Sequence, residues 1–228
     1  MEYLPGGLTL HLPPAAFPLS TDSVVLAHFV RLPKNARVLD LGSGCGTLGL
    51  LLCARDPGCA VTGVEIDEAA HAAALDNICR NGLEARLDSV CCDLRAFAPE
   101  PGAYHICVSN PPYFSGGPAS RTHAVARQDD FCPPEALFAA ADRATKFGGD
   151  FYLVHKPEKL AQLITCAASH HFEAKRLRLV RHRPDSPVSL ILLHFKKGAK
   201  PGLTWDEKSL YTSDGEETPY YKEVYHTI

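Results

Sequence analysis

No apolar stretch in the 228-residue chain approaches the length that a helix needs to cross a bilayer, which excludes a transmembrane helix. A basic segment followed by an apolar core is also missing at the N-terminus, so no secretory signal is read there and the expected location is the cytoplasm. The nine cysteines (Cys45, Cys53, Cys59, Cys79, Cys91, Cys92, Cys107, Cys132 and Cys166) are odd in number and show no C-x-x-C spacing. Several sit inside apolar, strand-like runs. Disulfide scaffolds belong to short secreted chains, so reduced and mostly buried thiols are expected instead. HExxH is absent and the eleven histidines are scattered without zinc spacing, so no metal is expected. Repeats and low-complexity segments are lacking as well.

What is present suits one well-packed α/β domain with a modest appendage, and the length is uncomfortable for two. We read residues 1–19 as an irregular lead-in rich in Pro and Gly, 20–197 as the core of a single domain, and 198–228 as an acidic, aromatic tail without a clear helix or strand. A monomer is expected. The net charge of −3 is unevenly spread, at −6 over residues 1–150, +7 over 151–200 and −4 over 201–228. Such asymmetry points either to a polyanionic partner on one side or to a solvated face.

Periodicity alternates along the core. Ser20, Thr21 and Asp22 offer caps for a helix over 24–30. Strands are expected at 37–41 (RVLDL), 60–66, 85–92 and 105–110, with helices at 47–55 and 68–82 between them. Pro111-Pro112 stops the fourth strand, because proline cannot continue a ladder. Residues 113–134 show no period, and a loop of that length is usually functional or mobile. Helix 134–146, strand 150–155, helix 157–170 and strands 173–180 and 188–196 complete the pattern. Alternating strands and helices imply a mostly parallel sheet covered on both faces. The last two strands have no helix between them and are expected to pair antiparallel.

DLGSGCGTLGL follows the first strand and opens a helix. Gly42, Gly44 and Gly46, with Ser43 between them, allow a tight turn and close approach of a ligand to the backbone. Gly44, Gly46 and Gly49 also match G-x-G-x-x-G, which leaves a dinucleotide reading open. Asp40 leans against it, since an acid just before the glycines would repel a pyrophosphate but not a cationic ligand. Glu65 at the tip of the second strand can accept both hydroxyls of a ribose, and Asp93 after the third can accept from an adenine amine. The competing reading is that Asp40 and Asp93 cap neighbouring turns.

In the order of these elements, residues 21–197 resemble the class I S-adenosylmethionine methyltransferases. The resemblance implies a Rossmann-like α/β fold. Its seven-stranded, mostly parallel sheet would have order 3-2-1-4-5-7-6, an antiparallel last strand and helices on both faces. It implies S-adenosylmethionine as cofactor, held by Asp40, Gly42, Ser43, Gly44, Gly46, Glu65, Asp93 and Asn110.

Asn110-Pro111-Pro112-Tyr113 ends the fourth strand, at the carboxyl edge where open α/β sheets bind ligands. It resembles the (D/N/S)PP(Y/F) signature of enzymes that methylate exocyclic amines of bases or the side-chain amide of glutamine. An exocyclic amine is nearly planar because its lone pair is delocalised. The amide oxygen of Asn110 and the carbonyl of Pro111 could each accept one of its N–H bonds, Pro112 would stiffen the turn, and Tyr113 would offer a stacking face.

The flanks of NPPY resemble the bacterial adenine-N6 methyltransferases acting at position 37 of a valine tRNA. LSTDSVVLAHF over 19–29, GVEID with Asn77, and LYTSDGEETPYY over 210–221 carry that likeness. It puts Thr21 and Asp22 near the methionine end of the cofactor and implies RNA, specifically tRNA, as partner. Arg127-Gln128-Asp129 departs from an Arg-His-Glu-like cluster of the family. KRLRLVRHR on the sixth strand alternates Arg176 and Arg178 with leucines and ends near Arg181. With Arg121 and Arg127, it offers a basic edge for phosphates. A glutamine methyltransferase of release factors, a guanine-N2 rRNA methyltransferase and a non-catalytic activator subunit remain as alternatives.

Overall fold

The computed structural model describes residues 2–13, 19–112 and 133–226. Tyr113, Arg121, Arg127, Cys132 and most of the aperiodic stretch therefore lie outside the described residues.

The core elements follow the hydrophobic pattern closely. Helix α1 (Thr21–Phe29) is capped by Ser20, whose hydroxyl accepts from the amide of Ser23. Strand β3 (Arg37–Leu41), helix α2 (Thr47–Arg55), strand β4 (Ala60–Glu65), helix α3 (Glu68–Arg80), strand β5 (Leu87–Cys91) and strand β6 (Tyr104–Ser109) come next. Helix α4 (Pro134–Ala144), strand β7 (Thr145–His155), helix α5 (Leu160–Ser169) and strands β8 (Phe172–Arg181) and β9 (Val188–Lys197) complete the expected set. The helix expected from 157 begins instead as a short 3-10 turn, Pro157–Lys159, before α5.

With a further strand, β10 (Thr204–Ser209), the main sheet has the order β10-β8-β9-β7-β6-β3-β4-β5. Counted from β3 to β9, that is the expected 3-2-1-4-5-7-6, with β9 antiparallel to both neighbours and β3 to β7 parallel. Period-two alternation divides the core between the faces. Val38 and Ile106 pack with α1, α2 and α3, while Leu39, Leu41 and Cys107 pack with α4 and α5.

Two expectations about the flanks are corrected. The lead-in is not wholly irregular, because β1 (Glu2–Tyr3) and β2 (Thr9–Leu10) pair antiparallel. Asn81 clamps this hairpin onto α3, accepting from the amide of Thr9 and donating to its carbonyl, both at 2.8 Å. The tail also folds. Strand β10 (Thr204–Ser209) adds to β8 in parallel, and helix α6 (Pro219–His226) buries Tyr220 and Val224 against the α1 side of the core.

Among the described residues all eight cysteines are free thiols, five of them buried. No helix among them is long and apolar enough to cross a membrane.

Candidate active site

The glycine-rich turn lies at the carboxyl end of β3, between β4 and α2. Gly42, Gly44 and Gly46 adopt φ of +74°, +54° and +82°, the left-handed region that side chains disfavour. Among the described residues a Cβ on Gly42 or Gly44 would meet no atom within 4 Å, so these glycines answer to backbone conformation and to the open space these residues leave above the turn. The amides of Gly42 and Ser43 donate to the carbonyl of Val64, at 2.9 and 3.1 Å. Glu65 ties the turn to the next strand: one carboxylate oxygen accepts from the amide of Gly44 at 2.8 Å, the other from Asp67 at 2.9 Å.

Asp40 sits beneath the turn with 2% of its surface exposed, and its Oδ2 has no partner among the described residues. Burial, with the negative charge of Glu65 adding to it, raises its carboxyl to about 8. A buried carboxyl with an idle oxygen is costly unless something arrives to pair with it. A cationic ligand that donates hydrogen bonds answers both needs, whereas a pyrophosphate would worsen the repulsion. The donor set and the open space therefore fit S-adenosylmethionine.

Asp93 follows β5 beside Glu65, since the amide of Cys92 donates to the carbonyl of Glu65 at 2.8 Å. It is not the open acceptor that the sequence suggested. Arg95 grips it, with Nε 3.0 Å from each carboxylate oxygen, and this pairing holds the Asp93 carboxyl below its usual range. The amide of Arg95 also donates to Oδ1 at 2.8 Å and its Nη2 to Oδ2 at 2.5 Å, so an adenine amine would compete with Arg95 for these oxygens.

Asn110 follows the last residue of β6, and its side-chain nitrogen donates to the hydroxyl of Ser23 on α1 at 2.9 Å. That bond turns the amide oxygen to the opposite arm, the polarity that an amine ligand requires. Ser109 anchors the strand end, its hydroxyl donating to the carbonyl of Leu41 at 2.7 Å. Pro111 is buried and Pro112 exposed. Thr21 opens α1 and accepts from the Tyr225 hydroxyl of α6 at 3.2 Å. Ser23, Tyr225 and the cross-linking role of Asn77 were not read from the sequence. Their partners lie 87, 204 and 66 or fewer positions away, beyond any local spacing signal.

The basic edge is corrected at Arg178 and Arg181. Strand β8 is covered by β10, whose acids meet its arginines. Arg178 makes a forked pair with Asp206, at 2.8 Å from Nε and 2.6 Å from Nη2, and Arg181 pairs with Glu207. Only 12% of the Arg178 side chain is exposed, which suits structure better than phosphate capture. Arg176 has no such partner among the described residues.

Known proteins place this arrangement. The family model "Methyltransferase small domain" matches residues 19–175. The tRNA1(Val) (adenine(37)-N6)-methyltransferase of Serratia proteamaculans is 31% identical over 92% of this chain and 82% of its own length. The protein of the same name from Edwardsiella ictaluri is 34% identical over 78% and 73%. Among solved structures, a predicted O-methyltransferase from Agrobacterium tumefaciens superimposes with a TM-score of 0.76 at 21% identity, covering 90% of this chain and 95% of its own. A putative RNA methyltransferase from Pyrococcus horikoshii gives 0.56 at 18%, covering 78% and 82%. Both show the fold. With an idle buried acid under a glycine turn and an NPP corner at the end of β6, the chain belongs to the methyltransferase small-domain family and is an S-adenosylmethionine-dependent methyltransferase.

Proposed function

We propose that this enzyme methylates the N6 amine of an adenine in tRNA. Position 37 of a valine tRNA, named for its relatives, is the first substrate to test. The observation that carries this reading is the polarised carboxamide of Asn110, fixed by Ser23 at the carboxyl edge of the sheet.

S-adenosylmethionine supplies an electrophilic methyl group. The chain's own part is to present the acceptor. The oxygen of Asn110 and the carbonyl of Pro111 each accept one N–H of the amine. This aligns the nitrogen and supports the positive charge that it gains, with no later reorganisation of the acceptors. Pro111 and Pro112 hold these acceptors in place beforehand. Tyr113, outside the described residues, is assigned the stacking of the base.

On the cofactor side, Glu65 is assigned the ribose hydroxyls, Asp93 the adenine amine, and Asp40 the positive charge. Gly42, Ser43, Gly44 and Gly46 give the backbone approach, and Thr21 and Asp22 the methionine end. Arg121 and Arg127, also outside the described residues, are assigned to RNA phosphates.

The test is transfer of radiolabelled methyl to bulk tRNA, rRNA and a release factor in parallel, followed by nucleoside and peptide analysis. N6-methyladenosine in tRNA is the expected product. N2-methylguanosine, or label confined to the release factor, would overturn the substrate assignment.

A further inference from the structure

A cavity of about 580 Å³ opens on the α1 face of the sheet, where the end of α1 meets β8 and β10. Arg31, Arg55, Arg176, Arg178 and Lys208 line it, together with Phe29. Of these cations only Arg178 has a salt bridge among the described residues, to Asp206. Glu223 is the carboxylate on the wall, and it pairs with His28 at 3.4 Å. The cavity thus gathers more positive charge than its own acids balance.

Its guanidinium groups are held in place. Arg55 donates to the carbonyl of Val30 at 3.0 Å and also to that of Ala27, capping the end of α1. The Arg176 guanidinium lies 4.2 Å from the centre of the Phe29 ring, and Arg178 lies 5.4 Å from the same ring. Phe29 is itself buried. The Nη1 of Arg176 is shielded from solvent and has no partner among the described residues. Burial and the neighbouring charges of Arg31 and Arg178 push its pKa down, so the cluster is strained by like charge. Fixed guanidinium groups beside further cations, with few acids to balance them, suit a phosphoryl oxygen, which the planar fork of arginine matches.

We infer that this cavity binds a backbone phosphate of the RNA substrate, away from the reacting base. The inference rests on the RNA reading above. Helix α1 connects the two places: Ser23 near its start holds Asn110, and Phe29 at its end carries Arg176. Six residues of helix separate them, roughly 9 Å at the usual rise. An RNA strand whose base sits at Asn110 would reach this cavity with a phosphate further along its backbone.

Binding of inorganic pyrophosphate and of tRNA is measured for the full chain and for Arg31→Ala, Arg176→Gln and Lys208→Ala. Affinity for S-adenosylhomocysteine checks the fold, and Arg31, being exposed, guards against a folding defect at Arg176. Each variant is expected to weaken pyrophosphate about tenfold and to flatten the slope of log affinity for tRNA against log salt by about one. Unchanged pyrophosphate and tRNA binding in all three variants would overturn the site. Weakened pyrophosphate binding with an unchanged tRNA slope would overturn RNA as the source of the phosphate. The pyrophosphate arm stands whichever nucleoside the enzyme modifies, so failure of the adenine assignment is read separately.

Discussion

The side-chain nitrogen of Asn77 donates to the carbonyl of Cys45 at 3.0 Å, tying the middle of α3 to the glycine-rich turn. The same carboxamide accepts from the amide of His11 at 2.7 Å and donates to its carbonyl at 3.0 Å, although Asn77 is wholly buried. Asn77→Ala would strand three backbone groups. The expected cost is about 3 kcal/mol, at the upper end of the range for unsatisfied buried polar groups. For a chain of this size that lowers Tm by roughly 10 °C. Affinity for S-adenosylhomocysteine should fall as well, because the turn loses its brace. A melting curve within a degree or two of the parent would show that the brace is dispensable.

Asn110→Ala should abolish methyl transfer while cofactor affinity stays within a few-fold. Its carboxamide is assigned to the acceptor amine, and its bond to Ser23 is lost with it. Isothermal titration with S-adenosylhomocysteine decides the matter: a folded variant that no longer binds the cofactor would move Asn110 to the other half of the site.

Glu65→Ala should do the reverse, weakening cofactor binding by about 1–3 kcal/mol for a lost charged acceptor. Part of that loss comes from the amides of Gly44 and Asp67, which Glu65 holds. Asp93→Ala should cost less, because Arg95 already shares that carboxylate. Equal losses at the two positions would show that Arg95 yields to the cofactor.

Asp40 gives a pH dependence with a definite sign. Its carboxyl is raised to about 8 in the fold, so between the ordinary carboxylate range and pH 8 the folded protein holds a proton that the unfolded chain releases. Stability of the cofactor-free protein should therefore fall as pH rises through that window and level off above it. A cationic cofactor favours the carboxylate, so its affinity should rise towards pH 8 and binding at pH 7 should release a proton. Titrations in buffers of different ionisation heat measure that proton, and Asp40→Asn should remove it. Proton uptake on binding would contradict the placement of Asp40 against positive charge.

The parallel strands and the glycine turn were legible because their signals are local. RVLDL alternates between two buried faces, and three glycines stand where only a left-handed backbone closes the turn. The grip of Arg95 on Asp93 was also within reach, two positions along. Other features depend on distant partners. TWDEKS has no apolar period, and β10 is held by pairing with β8, with Asp206 meeting Arg178 28 positions earlier. Reading Arg178 and Arg181 as an open basic edge failed for the same reason, since the acids that neutralise them belong to a stretch that looked unstructured. Ser23 was invisible as the partner of Asn110, because the two stand 87 positions apart.

The bond between Tyr225 and Thr21 spans 204 positions of the chain. Between them Tyr225 stacks on Tyr221 at 4.3 Å, and Tyr221 lies 5.2 Å from Tyr211, so the docked tail leads to the start of the helix that holds Asn110. During synthesis, then, the setting of α1 cannot be completed until residue 225 has left the ribosome. A nascent chain can fold its parallel strands earlier, but the start of α1 gains this bond only once the tail has docked.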